Sequence, residues 1–167
     1  MKSEYWTKTL LSTAIAASLV VGGNLAAQEK AAEPPQIAPG QQIPEFDAEG
    51  LDGEMKHVSF AGHHTVIVFF LSSCSVCHKM IPEWNQAFER KPEGLQVIGV
   101  ILDREPPGFF MTMPVSFPVV RAPTRDFAAN LGIRRVPSTV RVDEEGVVQN
   151  AAKGILDPIA LGEYFRP

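Results

Sequence analysis

Thr65-Val66-Ile67-Val68-Phe69-Phe70-Leu71-Ser72-Ser73-Cys74-Ser75-Val76-Cys77-His78 decides how the rest of the chain is read. Its first seven residues are β-branched, aromatic or aliphatic on both alternating faces, which predicts a central strand buried on both sides. Two serines follow, then a C-x-x-C holding the only two cysteines of the 167-residue chain. Two chemistries fit that spacing. A C-x-x-C at a helix start is a redox-active dithiol, and C-x-x-C-H is also the attachment signal of a c-type haem, with His78 as axial ligand.

Downstream of the motif a helix is predicted from Ser75 to Arg90, with Ser72 and Ser73 offering capping hydroxyls. Its apolar positions Cys77, Met80, Ile81, Trp84 and Phe88 recur at helical spacing, and Pro82 is expected to kink it. Leu95 to Leu102 reads as a second buried strand ending at Asp103, followed by the loop Glu105-Pro106-Pro107-Gly108. Phe109 to Met113 reads as a helical turn and Phe117 to Val120 as an extended stretch. Thr124 is placed to cap a short helix through Phe127 and Leu131, stopped by Gly132. Pro137 to Val142 alternates as a strand, Asp143 to Gly146 turns, and Val147-Val148 pairs back. Asp157-Pro158 opens a last helix whose apolar side is Ile159, Leu161 and Phe165.

Upstream, Phe46 to Phe60 contains Asp52-Gly53 and reads as a hairpin of two short strands. Strands alternating with helices imply a mixed α/β sheet with helices on both faces and an N-terminal β-hairpin. Cys74 then sits at the carboxyl end of a central strand, where open α/β sheets carry their chemistry.

The N-terminus reads as an export leader. Lys2 and Lys8 precede the uncharged run Thr9 to Val21, shorter than the roughly 20 residues of a membrane-spanning helix, with cleavage after Ala27. The alternative is an uncleaved anchor. Residues 28–41, rich in Ala, Pro, Gln and Glu, read as a spacer, and residues 42–167 as one domain. The net charge of -4, without a basic cluster, argues against nucleic acid. His63-His64 reads as a polar turn, and no metal-ligand spacing exists beyond the cysteine pair. Two cysteines this close gain little by stapling the chain, so the pair is functional rather than structural. A helix N-terminus stabilises a thiolate, which makes Cys74 the nucleophile and Cys77, one turn further in, the resolving thiol.

The stretch Phe69 to Glu83 resembles the active site of thioredoxin-like proteins, most closely the exported TlpA/ResA-type thiol-disulfide oxidoreductases and related redoxin (AhpC/TSA-like) domains. The wording also resembles MauD-type members, which are linked to maturation of a disulfide-rich enzyme. Phe117 to Val120, Leu131 to Thr139 and Asp143 to Gly146 match in order and spacing, so the resemblance covers about Gln42 to Phe165. It implies a thioredoxin-like fold and an enzyme exchanging a Cys74–Cys77 dithiol/disulfide with protein partners in the periplasm, more as reductant than as oxidant. No cofactor beyond that disulfide is implied, and a membrane-bound electron donor is. It further implies a cis Val136–Pro137 bond facing the dithiol, with the Val136 backbone pairing with a bound substrate peptide. Three positions depart from the pattern: Ser73 where many relatives have Trp, Val68 where thioredoxins carry a buried Asp, and Met80 where TlpA/ResA-type proteins often have Glu. The motif therefore holds no carboxylate to take a proton from Cys77, and leaves His78 and Lys79 as tuning residues.

Two rivals stand beside this reading. One is haem attached through Cys74, Cys77 and His78, with Met111 or Met113 as second axial ligand. The other is a non-catalytic module delivering Cu(I) on its two soft thiolates.

Overall fold

A computed structural model describes residues 36–166. The expected leader and the first part of the spacer lie outside the described residues. The decisive apolar run forms β3 (Thr65–Phe70), buried at every position. The earlier hairpin is β1 (Phe46–Glu49) with β2 (Met55–Val58), paired antiparallel. After β3 come α1 (Ser75–Glu89), β4 (Gln96–Ile101), α2 (Phe109–Thr112), β5 (Val119–Arg121) and α3 (Phe127–Asn130). The chain closes with β6 (Ser138–Val142), β7 (Val148–Lys153) and α4 (Pro158–Tyr164).

The main sheet has the order β5-β4-β3-β6-β7. β3, β4 and β5 are parallel, whereas β6 and β7 run antiparallel to their neighbours. Because successive strand residues face opposite sides, β3 feeds two cores. Val66, Val68 and Phe70 face the core beneath α1 and α4, with Trp84, Met80 and Leu161. Ile67 and Phe69 face a second core closed by Ile43, Ala48, Val58 and Phe60 of the hairpin region and by Leu131 after α3. Gly99 lets β4 pass the first core closely: a Cβ there would lie 3.0 Å from the Phe117 ring and from Val119, and 3.1 Å from Phe70. Trp84, fully buried, donates from Nε1 to Thr139 Oγ1 at 3.2 Å and so ties α1 to β6.

Several local expectations change. Helix α1 continues from Ser75 to Glu89 with Pro82 inside it, exposed to solvent. Thr124 does not cap α3: Asp126 is its N-cap residue and gives no side-chain bond, while the Thr124 carbonyl accepts from Phe127 N. Ile159 is 78% exposed, so the buried side of α4 is Leu161, Tyr164 and Phe165 instead. β7 extends to Lys153, well beyond Val148. The hairpin turn is longer than two residues: Gly50 N donates to the Glu54 carbonyl at 2.8 Å, with Gly53 in the left-handed region at φ 81°.

The segment before the hairpin is docked. Ile37, Gly40 and Gln41, placed in the spacer by composition, bond to Gly132, Val148 and Leu131 respectively. At the far side of the sheet, Gly50 bridges Val120 of β5, and Arg121 donates to the Gly50 carbonyl at 2.8 Å and pairs with Glu49 and Glu105.

Candidate functional site

The site lies where β3 ends and α1 begins. Cys74 is the N-cap of α1 in extended geometry, and its Sγ accepts from Cys77 N at 3.1 Å. The cap thus comes from the cysteine sulfur, and not from the serines expected to supply it. An N-cap acceptor satisfies one of the unpaired amides of the first turn, and that same amide stabilises a thiolate. The backbone completes the turn: Cys74 N donates to Leu71 O at 3.3 Å, and His78 N to Cys74 O at 3.1 Å.

Both cysteines are free thiols, but their surroundings differ. Cys74 is half-buried, and Cys77 is 0% exposed within the core under α1. Burial pushes the Cys77 thiol up to about 12, with the neighbouring Cys74 adding to the rise. The two thiols are therefore asymmetric by position: one caps a helix at the surface and the other is held as a neutral thiol inside it.

Ser72 and Ser73 turn their hydroxyls elsewhere. Ser72 Oγ and Ser73 Oγ donate to Asp103 Oδ2 at 2.9 and 3.0 Å, and the two backbone amides donate to the same carboxylate at 2.7 and 3.1 Å. Asp103 follows β4, whose Ile101 pairs with Phe70 of β3 in parallel register. That register sets the carboxylate beside the turn before Cys74. Burial pulls the Asp103 carboxyl up, but the bonds from Ser72 and Ser73 outweigh it and hold the group below the usual carboxylate range. The sequence reading missed Asp103. The available signal was its place just past a buried strand, at the same sheet end as Cys74.

His78 Nε2 lies 2.7 Å from the Ser72 carbonyl. A carbonyl only accepts, so Nε2 carries the proton of this bond. The ring also lies 5.7 Å from the Phe109 ring of α2. Lys79 is exposed on α1. The Val136–Pro137 bond is cis, as the resemblance implies. Val136 is half-buried and packs against the same core cluster as Cys74. It lies outside the β6 ladder, which begins at Ser138. Met111 is 88% exposed and Met113 half-buried. Haem attachment needs both sulfurs and the His imidazole open to one porphyrin. Here Cys77 is buried and His78 is bonded to the chain. Among the described residues no group of three or more His, Cys, Asp or Glu side chains is arranged to hold a metal ion.

Comparison with known proteins agrees with this geometry. The family model named Redoxin matches residues 38–159. The chain is 24% identical over 127 residues to the thioredoxin-like protein YneN of Bacillus subtilis, covering 72% of this chain and 74% of that protein. It is 25% identical over 134 residues to the thiol-disulfide oxidoreductase ResA of Bacillus thuringiensis, covering 76% of each. Among solved structures it superposes on a Chlorobium tepidum protein assigned as the thiol:disulfide interchange protein DsbE. That match has a TM-score of 0.68 and 26% identity, over 77% of this chain and 96% of the other. The five-stranded mixed sheet with its flanking helices is a thioredoxin-like fold.

Proposed function

Because the chain belongs to the redoxin family, we propose that this thiol-disulfide oxidoreductase works outside the cytoplasm as a reductant of partner proteins, with Cys74 as nucleophile and Cys77 as resolving thiol. The observation that carries the role assignment is the asymmetry of the pair. Cys74 Sγ already accepts a helix amide at the surface, while Cys77 is fully buried.

The Cys74 thiolate attacks one sulfur of a partner disulfide. That S–S bond breaks, a mixed disulfide forms, and the first partner thiolate leaves and takes a proton. Cys77 then gives up its proton and attacks Cys74 Sγ. The Cys74–Cys77 disulfide forms and the second partner thiolate leaves, to be protonated in turn. Two electrons pass from the dithiol to the partner, and both dithiol protons end on the partner's thiols. Val136 and Pro137 are assigned to hold the partner: Val136 packs against the same core cluster as Cys74, and its backbone, outside the β6 ladder, suits pairing with an extended partner segment. A membrane-bound donor returns the Cys74–Cys77 disulfide to the dithiol, and the disulfide is the protein's one redox group. The location is supported by the leader-like N-terminus, with Lys2 and Lys8 before an apolar run.

Trapping tests this reading. Cys77→Ser accumulates mixed disulfides through Cys74 in the exported fraction, resolved on non-reducing gels. Trapping by Cys74→Ser and none by Cys77→Ser overturns the assigned roles. Reduction of an added protein disulfide by the dithiol form, followed as insulin turbidity, tests the direction.

A further inference from the structure

One side chain takes all four hydrogen-bond donors of the two serines in the turn that presents the nucleophile. Asp103 accepts from both amides and both hydroxyls of Ser72 and Ser73, at 2.7 to 3.1 Å. The opposite side of Ser72 is held too, since its carbonyl accepts from His78 Nε2 at 2.7 Å. Ser72 is thus clamped between the end of β4 and the second turn of α1, and Cys74 follows two residues later.

We propose that Asp103 is a positioning residue with two effects: it pins the turn carrying Cys74, and its fixed negative charge beside the dithiol biases the pair toward the disulfide, making the protein a stronger reductant. This rests on the reductant reading above and supplies its cause. A negative charge close to a thiol disfavours the thiolate. Only the reduced pair can form that thiolate and the disulfide cannot, so the charge weakens the reduced state relative to the oxidised one. Stabilising a reduced form makes a strong oxidant, and the opposite bias makes a reductant. Asp103 is also among the groups whose charge raises the Cys77 thiol, after burial and Cys74. Against burial, its bonds to Ser72 and Ser73 hold its own carboxyl below the usual range, so it carries its negative charge at neutral pH.

The test is the equilibrium constant of the dithiol with glutathione, read by alkylation and mass spectrometry. Asp103→Asn removes the charge and keeps one acceptor. It is expected to move the constant about tenfold toward the reduced form, about 30 mV for a two-electron couple. Ser73→Ala loosens the turn and leaves the charge, so it is expected to move the constant far less. If Asp103→Asn does not fold, Asp103→Thr, which offers a neutral acceptor, takes its place with the same expected direction. An unmoved constant in the folded charge-neutral variant, or an equal shift in Ser73→Ala, overturns the proposal while the oxidoreductase reading stands. A wild-type pair that never equilibrates with glutathione overturns both.

Discussion

Cys77 has to surrender a proton that its surroundings hold tightly, since burial first and Cys74 second push its thiol up to about 12. Only the thiolate is nucleophilic. In the reduced protein, iodoacetamide at pH 8 is therefore expected to label Cys74 and spare Cys77. Labelling of Cys77 should climb as pH approaches its raised value, and peptide mapping reads both sites. Equal labelling at pH 8 would contradict the asymmetry. The depressed carboxyl of Asp103 has the opposite sign. It contributes stability above the ordinary carboxylate range, and that contribution is lost as pH falls through its folded value. The urea midpoint of the wild type is expected to drop more between about pH 5 and 2 than that of Asp103→Asn, compared in parallel unfolding curves. The cysteine pair was legible as a short motif, and the cis Val136–Pro137 bond only through the family resemblance. Asp103 was not, because its partners lie 31 and 30 residues away and meet it only through the β3–β4 register. Ser72 and Ser73 misled because serine is a favoured cap, and here a cysteine sulfur took that place.

At the scale of elements, strong periodicity was read correctly and weak periodicity was not. β3 and β4 showed in the sequence as continuous apolar runs, and α1 as a long amphipathic pattern. The failures lie in short pieces. α3 has four residues and too few local bonds for its cap to be read in advance, and the long β7 hides polar Gln149 and Asn150 in its middle. Ile159 looked buried by composition, yet α4 rotates it to solvent and buries Tyr164 instead. Gly99 shows how closely the elements meet. Gly99→Ala adds a methyl into contacts of 3.0 to 3.1 Å with Phe117, Val119 and Phe70. It is expected to cost about 1–3 kcal/mol through overpacking, measured by urea denaturation, with the redox equilibrium left near wild type. Asp157 caps α4 with bonds to Ile159 N at 2.9 Å and Ala160 N at 2.8 Å. Asp157→Ala should lose about 1 kcal/mol of stability by the same measurement.

Residues 36–166 form a sheet with helices α1 and α4 over one face and the hairpin with α3 over the other. The segment from Ile37 to Gly50 does more than cover. Gly40 and Gln41 exchange bonds with Val148 of β7 at 2.8 Å each, and Gly50 bridges Val120 of β5. Those two strands are the outermost of the five. One stretch of chain therefore occupies backbone positions on both rims, where unpaired amides and carbonyls would otherwise invite a strand from another molecule. Its loss has a consequence beyond stability. A variant lacking residues 36–44 is expected to form oligomers under conditions where Gly99→Ala stays monomeric, a contrast that light scattering on matched samples would read directly. A built-in guard on both rims makes resistance to edge-to-edge pairing a property of the fold itself.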